Sequence, residues 1–279
     1  MTTGVRTLVP VLGIPIAVTD MEQALQLLQE DLQADRKGYV CFASVHGIME
    51  AKRQPSFARV YAESALCLPD GAPVSWVGRW QGHRSMRRVA GPDFMLKVFA
   101  DERFRTMTHF FYGGEEGVAA TMQRNLQQRY PHARIVGTYT PPFRSLNEVE
   151  EQELQERIQK LQPDFFWVGI GCPKQEYFMH QYVDRLETRM MFGVGAAFDY
   201  HSGRIDDSPE WVKLAGLQWL HRLAQDPRRL WKRYLYSNSA FLWNLALQAT
   251  GLEQVKIPMP VEDDLAAERA IHLVERPRM

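Results

Sequence analysis

The chain has 279 residues, 45% of them hydrophobic and 24% charged, which supports one large domain or two modest ones and excludes a disordered chain. Formal net charge is zero, so no whole-chain attraction to phosphates marks nucleic acid as a partner. Three cysteines (Cys41, Cys67 and Cys172) offer neither a disulfide framework nor zinc spacing, and a reducing cytosol is the simplest setting. The first eighteen residues lack the charged start and long apolar stretch of a leader, and no run reaches the roughly 18 apolar residues of a spanning helix. Any work at a membrane is expected from its surface.

Thr19-Asp20-Met21-Glu22 reads as a capping box, and the leucines that follow predict a helix over 20–35. The apolar run 39–43 predicts a buried strand, 46–64 a helical stretch broken near Pro55, and 65–68 a second strand closed by Pro69-Asp70-Gly71. Helical patterns cover 73–80 and 92–103. Strands are expected at 109–112, 134–137, 165–170 and 190–194, with helices over 115–129, 146–161 and 174–187. Strands without polar alternation, separated by amphipathic helices, predict an α/β fold: a Rossmann-like, mostly parallel sheet covered on both faces. The expected division is an α/β catalytic domain over 1–205, a helical C-terminal appendage over 206–250 and a tail over 251–279.

Ligands of such sheets bind beyond the carboxyl ends of the strands, which directs attention to the polar corners. Asp70 directly follows a strand and is a candidate general base, or a helix cap or turn residue. Gly113 and Gly114 precede a helix whose first N–H groups suit a diphosphate, or they form a plain turn. Gly193-Val194-Gly195 begins a G-x-G-x-x-G pattern, but Phe198 stands where the last glycine belongs, so the evidence for NAD is weak; the same glycines also suit close approach of a ligand. Asp199 and His201 are within reach of that corner or are ordinary loop residues. In FWVGIGCPKQE, Gly169 and Gly171 permit close approach, and Lys174, Gln175 and Glu176 open a helix with groups that bond phosphate or hydroxyls. Cys172 is a thiol nucleophile or, preferably, a packed cysteine. Arg229 and Arg233 share a helix face suited to a diphosphate or anionic headgroups, or form a solvated charged face.

In order, LPDGAPVSW (68–76), RVAGPDFM (88–95), FFYGGEEGVA (110–119), FFWVGIGCPKQEYFM (165–179), GVGAAFDYHSG (193–203) and SPEWVKLAGLQWLHRLAQDPRRLWKRYL (208–235) resemble the bacterial WecG/TagA/CpsF glycosyltransferases, over roughly residues 10–245. The resemblance implies a Rossmann-like domain with a membrane-associating helical appendage (the GT-E type) and inverting transfer of a hexose from a UDP-sugar to an undecaprenyl-diphosphate-linked sugar, in cell-surface or exopolysaccharide synthesis. It implies Asp70 as base and Arg88 near the donor or the leaving diphosphate. It also implies Gln175 in the cleft, with Arg222, Arg229 and Arg233 offsetting diphosphate charge. No D-x-D motif is present, so no metal and no other cofactor is expected. The expected setting is the inner face of the cell membrane, with self-association into a homo-oligomer also implied.

Ser44-Val45-His46 stands where part of the family has Thr-x-Asn against substrate, which adds Ser44 and His46 as candidates and leaves N-acetylmannosamine, its uronic acid and glucose (the last as in a GumM-like branch) open as the transferred sugar. Rival readings are a nucleotide-dependent oxidoreductase, which needs a complete glycine fingerprint, and a glycolipid-binding module without catalysis, which needs no Asp70.

Overall fold

The structure, a computed structural model, describes residues 6–250; the expected tail over 251–279 lies outside the described residues, as do the side chains of Leu214 and Arg229. Leu8–Val11 (β1) and Ile14–Ala17 (β2) form an antiparallel hairpin. Leu12 and Gly13 turn it with φ of 50° and 91°, the two positive angles that a type I′ turn needs. No hairpin is expected here from the sequence. Each strand has four residues, and Pro10 pairs with Pro15, which weakens the strand pattern of both.

Met21–Gln33 (α1) is next; its capping box is made by Asp20 and Gln23, one residue later than the sequence reading placed it. In chain order follow Gly38–Ala43 (β3), Val45–Arg53 (α2), Pro55–Ala62 (α3), Leu66–Pro69 (β4), Ala72–Trp80 (α4) and Gly91–Ala100 (α5). Then come Thr108–Gly113 (β5), Val118–Arg129 (α6), Arg134–Tyr139 (β6), Glu148–Leu161 (α7), Phe165–Gly169 (β7), Lys174–Tyr182 (α8), Met190–Gly193 (β8) and Ala197–Ser202 (α9). Three helices complete the described chain: Glu210–Leu214 (α10), Gln218–Gln225 (α11) and Pro227–Ala249 (α12).

The main sheet runs β4-β3-β8-β7-β5-β6, and every pairing is parallel. Alternate side chains feed two cores, as the period of a strand requires. Tyr39, Cys41 and Ala43 pack with α2, α3 and α8, whereas Val40 and Phe42 pack with α1, α5 and α9. β3 and β8 are neighbours, but the helix after β3 covers the first face and the helix after β8 covers the second. Chains that leave adjacent strands toward opposite faces open a crevice at their carboxyl ends, the usual ligand position in an open parallel sheet.

The central strands are aromatic. Trp167 stacks on Phe192 with centroids 4.2 Å apart and donates its indole N–H to His109 Nδ1 at 3.1 Å. Burial pushes His109 down to about 3, so this histidine is a neutral core acceptor. Where β5 and β7 end, Gly113 pairs with Gly169. A Cβ on Gly113 would lie 2.5 Å from the Gly169 carbonyl oxygen, and one on Gly169 would lie 2.2 Å from the Phe198 ring. Phe198, which stands at the third position of the glycine pattern, therefore packs its ring directly on Gly169. Gly169→Ala should lower the unfolding free energy by about 1–3 kcal/mol, because the buried Phe198 ring must move; an unchanged denaturation midpoint would show that the strand ends are loosely packed.

Candidate active site

Asp70 leaves the end of β4, where its N–H donates to the Ala43 carbonyl at 3.1 Å. The next residue, Gly71, has φ of 106° and is the cap of α4, with no side-chain cap bond, so the Asp70 carboxylate does not serve as a helix cap. The carboxylate lies partly buried at the mouth of the crevice. Burial pushes it up to about 6; Arg88, Arg222 and Arg233 pull it down, and Asp93 pushes it further up. A carboxyl group with that affinity is ionised at neutral pH and still basic enough to accept a proton.

The cations come from three places. Val89 N–H donates to the Pro69 carbonyl at 2.8 Å and so brings Arg88 beside Asp70. Arg88 is not a free guanidinium: it pairs with Asp93 at 2.8 Å and donates to the Gln218 side chain at 2.6 Å. Lys213 donates to Asp93 at 2.9 Å and to Asp207 at 2.5 Å, which ties α10 and α11 to the start of α5. Burial would raise Asp93, but Arg88 and Lys213 together hold it below its ordinary value.

Arg222 and Arg233, from α11 and α12, both bear on Asp70. Each has its Nε buried without a hydrogen-bond partner, and neither forms an ion pair among the described residues. Arg222 lies over the Tyr200 ring, 5.8 Å from its centroid. Arg229 is on α12, and its side chain falls outside the described residues.

Ser44 and His46 occupy the start of α2. Ser44 Oγ caps the helix by accepting from Gly47 N–H at 3.3 Å. His46 Nδ1 is 3.2 Å from Ser237 Oγ, a buried residue of α12, so the α2 start and the C-terminal helix meet here. Burial, with Arg233 and Arg53, pushes His46 down to about 3 and keeps it neutral.

The corner after β7 is a node. Gln175 Nε2 donates to the Gly193 carbonyl at 2.7 Å and to Glu176 Oε1 at 2.9 Å, while its Oε1 accepts from Gly171 N–H at 3.2 Å. The Gln175 amide thus joins the loops after β7 and β8 and is itself buried, so its contacts are with the protein. Gly195 sits against it, and Gly114 has its Cβ position 2.9 Å from Val118. Of the candidate glycines, Gly171, with φ of 86°, has open space where a side chain would stand, whereas Gly113, Gly114 and Gly169 are packing positions. Glu176 is fully buried, and burial pushes it up to about 7 against the pull of Gln175. Burial also holds the Cys172 thiol well above its ordinary value, which leaves it a packed cysteine. Lys174 is exposed and lies 5.5 Å from the Phe143 ring.

Asp70, Arg88, Ser44, His46, Arg222 and Arg233 therefore gather at the end of β3, β4 and β8. Gly113 and Gly114 lie across β7 and β8, on another part of the sheet. Sequence reasoning passed over Asp93, Lys213 and Tyr200. Asp93 and Lys213 had no signal of their own, since an acid and a base 120 residues apart show no spacing. A recess of about 430 Å³ between the hairpin and α1, lined by Arg6, Glu22 and Gln26 among others, contains none of the gathered groups.

The raised Asp70 value has a consequence for stability. The unfolded group ionises near its ordinary 3.8 and the folded group near 6, so the native state binds the extra proton between these values. The contribution of Asp70 to stability therefore declines as pH rises through that window. Asp70→Asn should raise the unfolding free energy by about 1–3 kcal/mol at pH 7.5 and leave it unchanged at pH 3.5, as read by chemical denaturation.

The model of the glycosyl transferase WecG/TagA/CpsF family matches residues 9–254. Among curated proteins, the N-acetylglucosaminyldiphosphoundecaprenol N-acetyl-beta-D-mannosaminyltransferase of Bacillus spizizenii strain W23 is 28% identical over 206 residues, 73% of this chain and 77% of that protein. The protein of the same name from Bacillus subtilis strain 168 is 30% identical over 177 residues, 63% of this chain and 66% of its own length. That from Staphylococcus aureus strain MRSA252 is 21% identical over 250 residues, covering 89% and 96%.

Proposed function

The chain belongs to the WecG/TagA/CpsF glycosyltransferase family, and on that premise we propose that it transfers a hexose from a UDP-sugar to the sugar of an undecaprenyl-diphosphate-linked acceptor. The observation that carries the substrate class is the pair Arg222 and Arg233. Two guanidinium groups at the crevice have buried Nε atoms without partners, and the described residues pair neither with a carboxylate. A diphosphate supplies the missing charge and the missing acceptors. Both substrates of the proposed reaction carry one.

In the proposed mechanism Asp70 takes the proton of the acceptor hydroxyl, whose oxygen attacks the anomeric carbon from the face opposite UDP. The bond from that carbon to the UDP oxygen breaks and the configuration inverts. Arg222 and Arg233 face the negative charge that grows on the leaving diphosphate, preorganised by the helices that carry them. Arg88 stays bound to Asp93 and Gln218, and acts on Asp70 through its charge. Cationic side chains serve where many nucleotide-sugar enzymes use a divalent ion, so activity in EDTA is expected. The names of the relatives favour N-acetylmannosamine as the transferred sugar and N-acetylglucosamine as the acceptor sugar; Ser44 and His46 are the proposed determinants if this chain takes another hexose.

The lipid acceptor calls for a membrane surface. None of the helices of the described residues is long and apolar enough to cross a membrane. However, Trp211, Leu220, Trp231, Leu235, Leu242 and Trp243 are exposed along α10–α12. A groove of about 580 Å³ on α12 is lined by Trp231, Leu235, Tyr236, Ala240 and Trp243 with Lys232 at its edge. Aromatic and aliphatic side chains beside a cation are the composition of an interfacial helix. The proposed placement is on the cytoplasmic leaflet, with the groove toward the lipid.

The direct test is release of UDP from UDP-N-acetylmannosamine, its uronic acid and UDP-glucose, with and without a short-chain polyprenyl-diphospho-N-acetylglucosamine, in EDTA. Acceptor-dependent release from one donor is expected. Silence across the panel from folded protein on vesicles would contradict the reading, and a requirement for added magnesium would contradict the metal-free part. Arg222→Ala and Arg233→Ala should each reduce kcat/KM by about 100-fold or more with little change in Tm, because the arginines leave no ion pair behind. A loss of Tm equal to the loss of activity would make them structural.

A further inference from the structure

α4 has an outer face that neither core uses. Its inner face is buried through Val74, Val77 and Gly78. Trp76, Arg79 and Trp80 stand at i, i+3 and i+4 and share the opposite side of the helix. Trp76 is 38% exposed and Trp80 75% exposed, so two indoles of one face stand open to solvent. From Gly71 to Pro92 the chain has four arginines, one histidine and no acid. Arg88 is bound to Asp93 and Gln218, and Arg87 donates to the carbonyls of Arg84 and Met86. Arg79 and the exposed Arg84 have no side-chain hydrogen bond and no ion pair among the described residues. This face is continuous with the exposed side of α10–α12. Gly216, in the turn between α10 and α11, lies against α4: a Cβ there would stand 2.9 Å from Ala72 Cβ and 3.2 Å from the Trp76 ring. Around that turn Trp211, Leu217 and Leu220 are exposed.

We propose that the outer face of α4 and the loop after it form a second membrane contact, which binds the headgroups of anionic phospholipids; this rests on the membrane placement proposed above and not on the chemistry of transfer. Exposed indoles beside unpaired guanidinium groups suit the bilayer interface, where the ring settles among the headgroups and the cation meets lipid phosphate. Formal net charge is zero, so a preference for an anionic surface has to come from a local cluster of this kind. Each arginine held near such a surface strengthens binding, within about one Debye length. A single apolar insertion holds a protein on a bilayer reversibly, and a basic patch is the second signal that makes the hold stable. The α12 groove is the apolar contact and has one cation at its edge, Lys232. The α4 face supplies the basic one, and the packing of Trp76 on the Gly216 turn joins the two. A second copy of this chain fits the face less well, because a two-fold contact sets the same arginines against each other.

The test is co-sedimentation of the full chain with vesicles of phosphatidylcholine alone and of phosphatidylcholine mixed with phosphatidylglycerol, at low and high salt. Wild-type protein should bind the anionic vesicles about 10-fold more tightly than the neutral ones, and high salt should remove the advantage. Arg79→Gln combined with Arg84→Gln should reduce the advantage to about 2-fold or less. The same variant should keep its binding to neutral vesicles, its Tm, and its release of UDP with a short-chain acceptor in the absence of vesicles. Trp80→Ala should weaken binding to both kinds of vesicle by about 10-fold. Equal binding of wild-type protein to the two vesicles, or an anionic preference that survives the double substitution, would overturn the second contact and leave the α12 placement standing. Failure of wild-type protein to bind either vesicle would remove the membrane placement and the second contact together, while UDP release with the short-chain acceptor reports separately on the transfer reaction. A lower Tm or lost UDP release in the arginine variant would make the segment part of the fold or of the site, and overturn the proposal. An oligomer in solution that Trp80→Ala dissociates would assign the face to a second copy and overturn it as well.

Discussion

A carboxylate set into the end of a strand must be balanced by cations, and the crevice is built around that requirement. An isolated carboxylate in a low-dielectric recess gives up its charge. Asp70 stays ionisable near neutral pH because Arg88, Arg222 and Arg233 counter its burial. Two of those three arginines belong to helices more than 150 residues further along the chain. The acid and the C-terminal helices are therefore parts of one electrostatic unit. The ties that seat those helices serve it: Lys213 to Asp93, Arg88 to Gln218, His46 to Ser237. Charges fixed before substrate arrives need no rearrangement when charge develops, which is the advantage they would bring to the proposed reaction.

The same logic divides α12 into two faces. Leu230, Ser237 and Phe241 are buried, and Arg233 lies on the same stripe, at the i, i+3, i+7 and i+11 positions of a helix. A guanidinium between apolar anchors is carried to the crevice by the packing of its neighbours. Trp231, Leu235 and Leu242 fall on the outer side and remain exposed. The helix thus faces a charged site on one side and an apolar surround on the other, as the proposed reaction on a lipid-linked sugar requires.

Much of this was legible in the sequence, and the exceptions have physical causes. The sheet strands are buried on both faces and read as unbroken apolar runs, so their positions were evident. Asp70 stood out because it directly follows such a run, but position alone suited a helix cap or turn residue as well as a base, and the base role came from the family resemblance. The hairpin was not, since Pro10 and Pro15 interrupt two very short strands whose pairing is set by a turn with Leu12 in a left-handed conformation. The glycines misled in part. Gly113 and Gly169 look like positions of close ligand approach, but the space they leave is filled by each other's backbone and by Phe198. Gln175 was placed in the cleft, and its amide is spent on the loops around it. Arg222 and Tyr200 could not be associated from sequence, because their contact depends on how α11 packs against α9.

The most direct measurement is an NMR titration of the Asp70 side-chain carboxyl in protein labelled at aspartate, identified by difference from Asp70→Asn. The expected midpoint is near 6, well above the ordinary 3.8. Arg222→Ala and Arg233→Ala should each move the midpoint higher, since each removes a cation that favours the charged form. A midpoint close to 4 that neither arginine variant moves would contradict the claim that Asp70 and the C-terminal helices form one site.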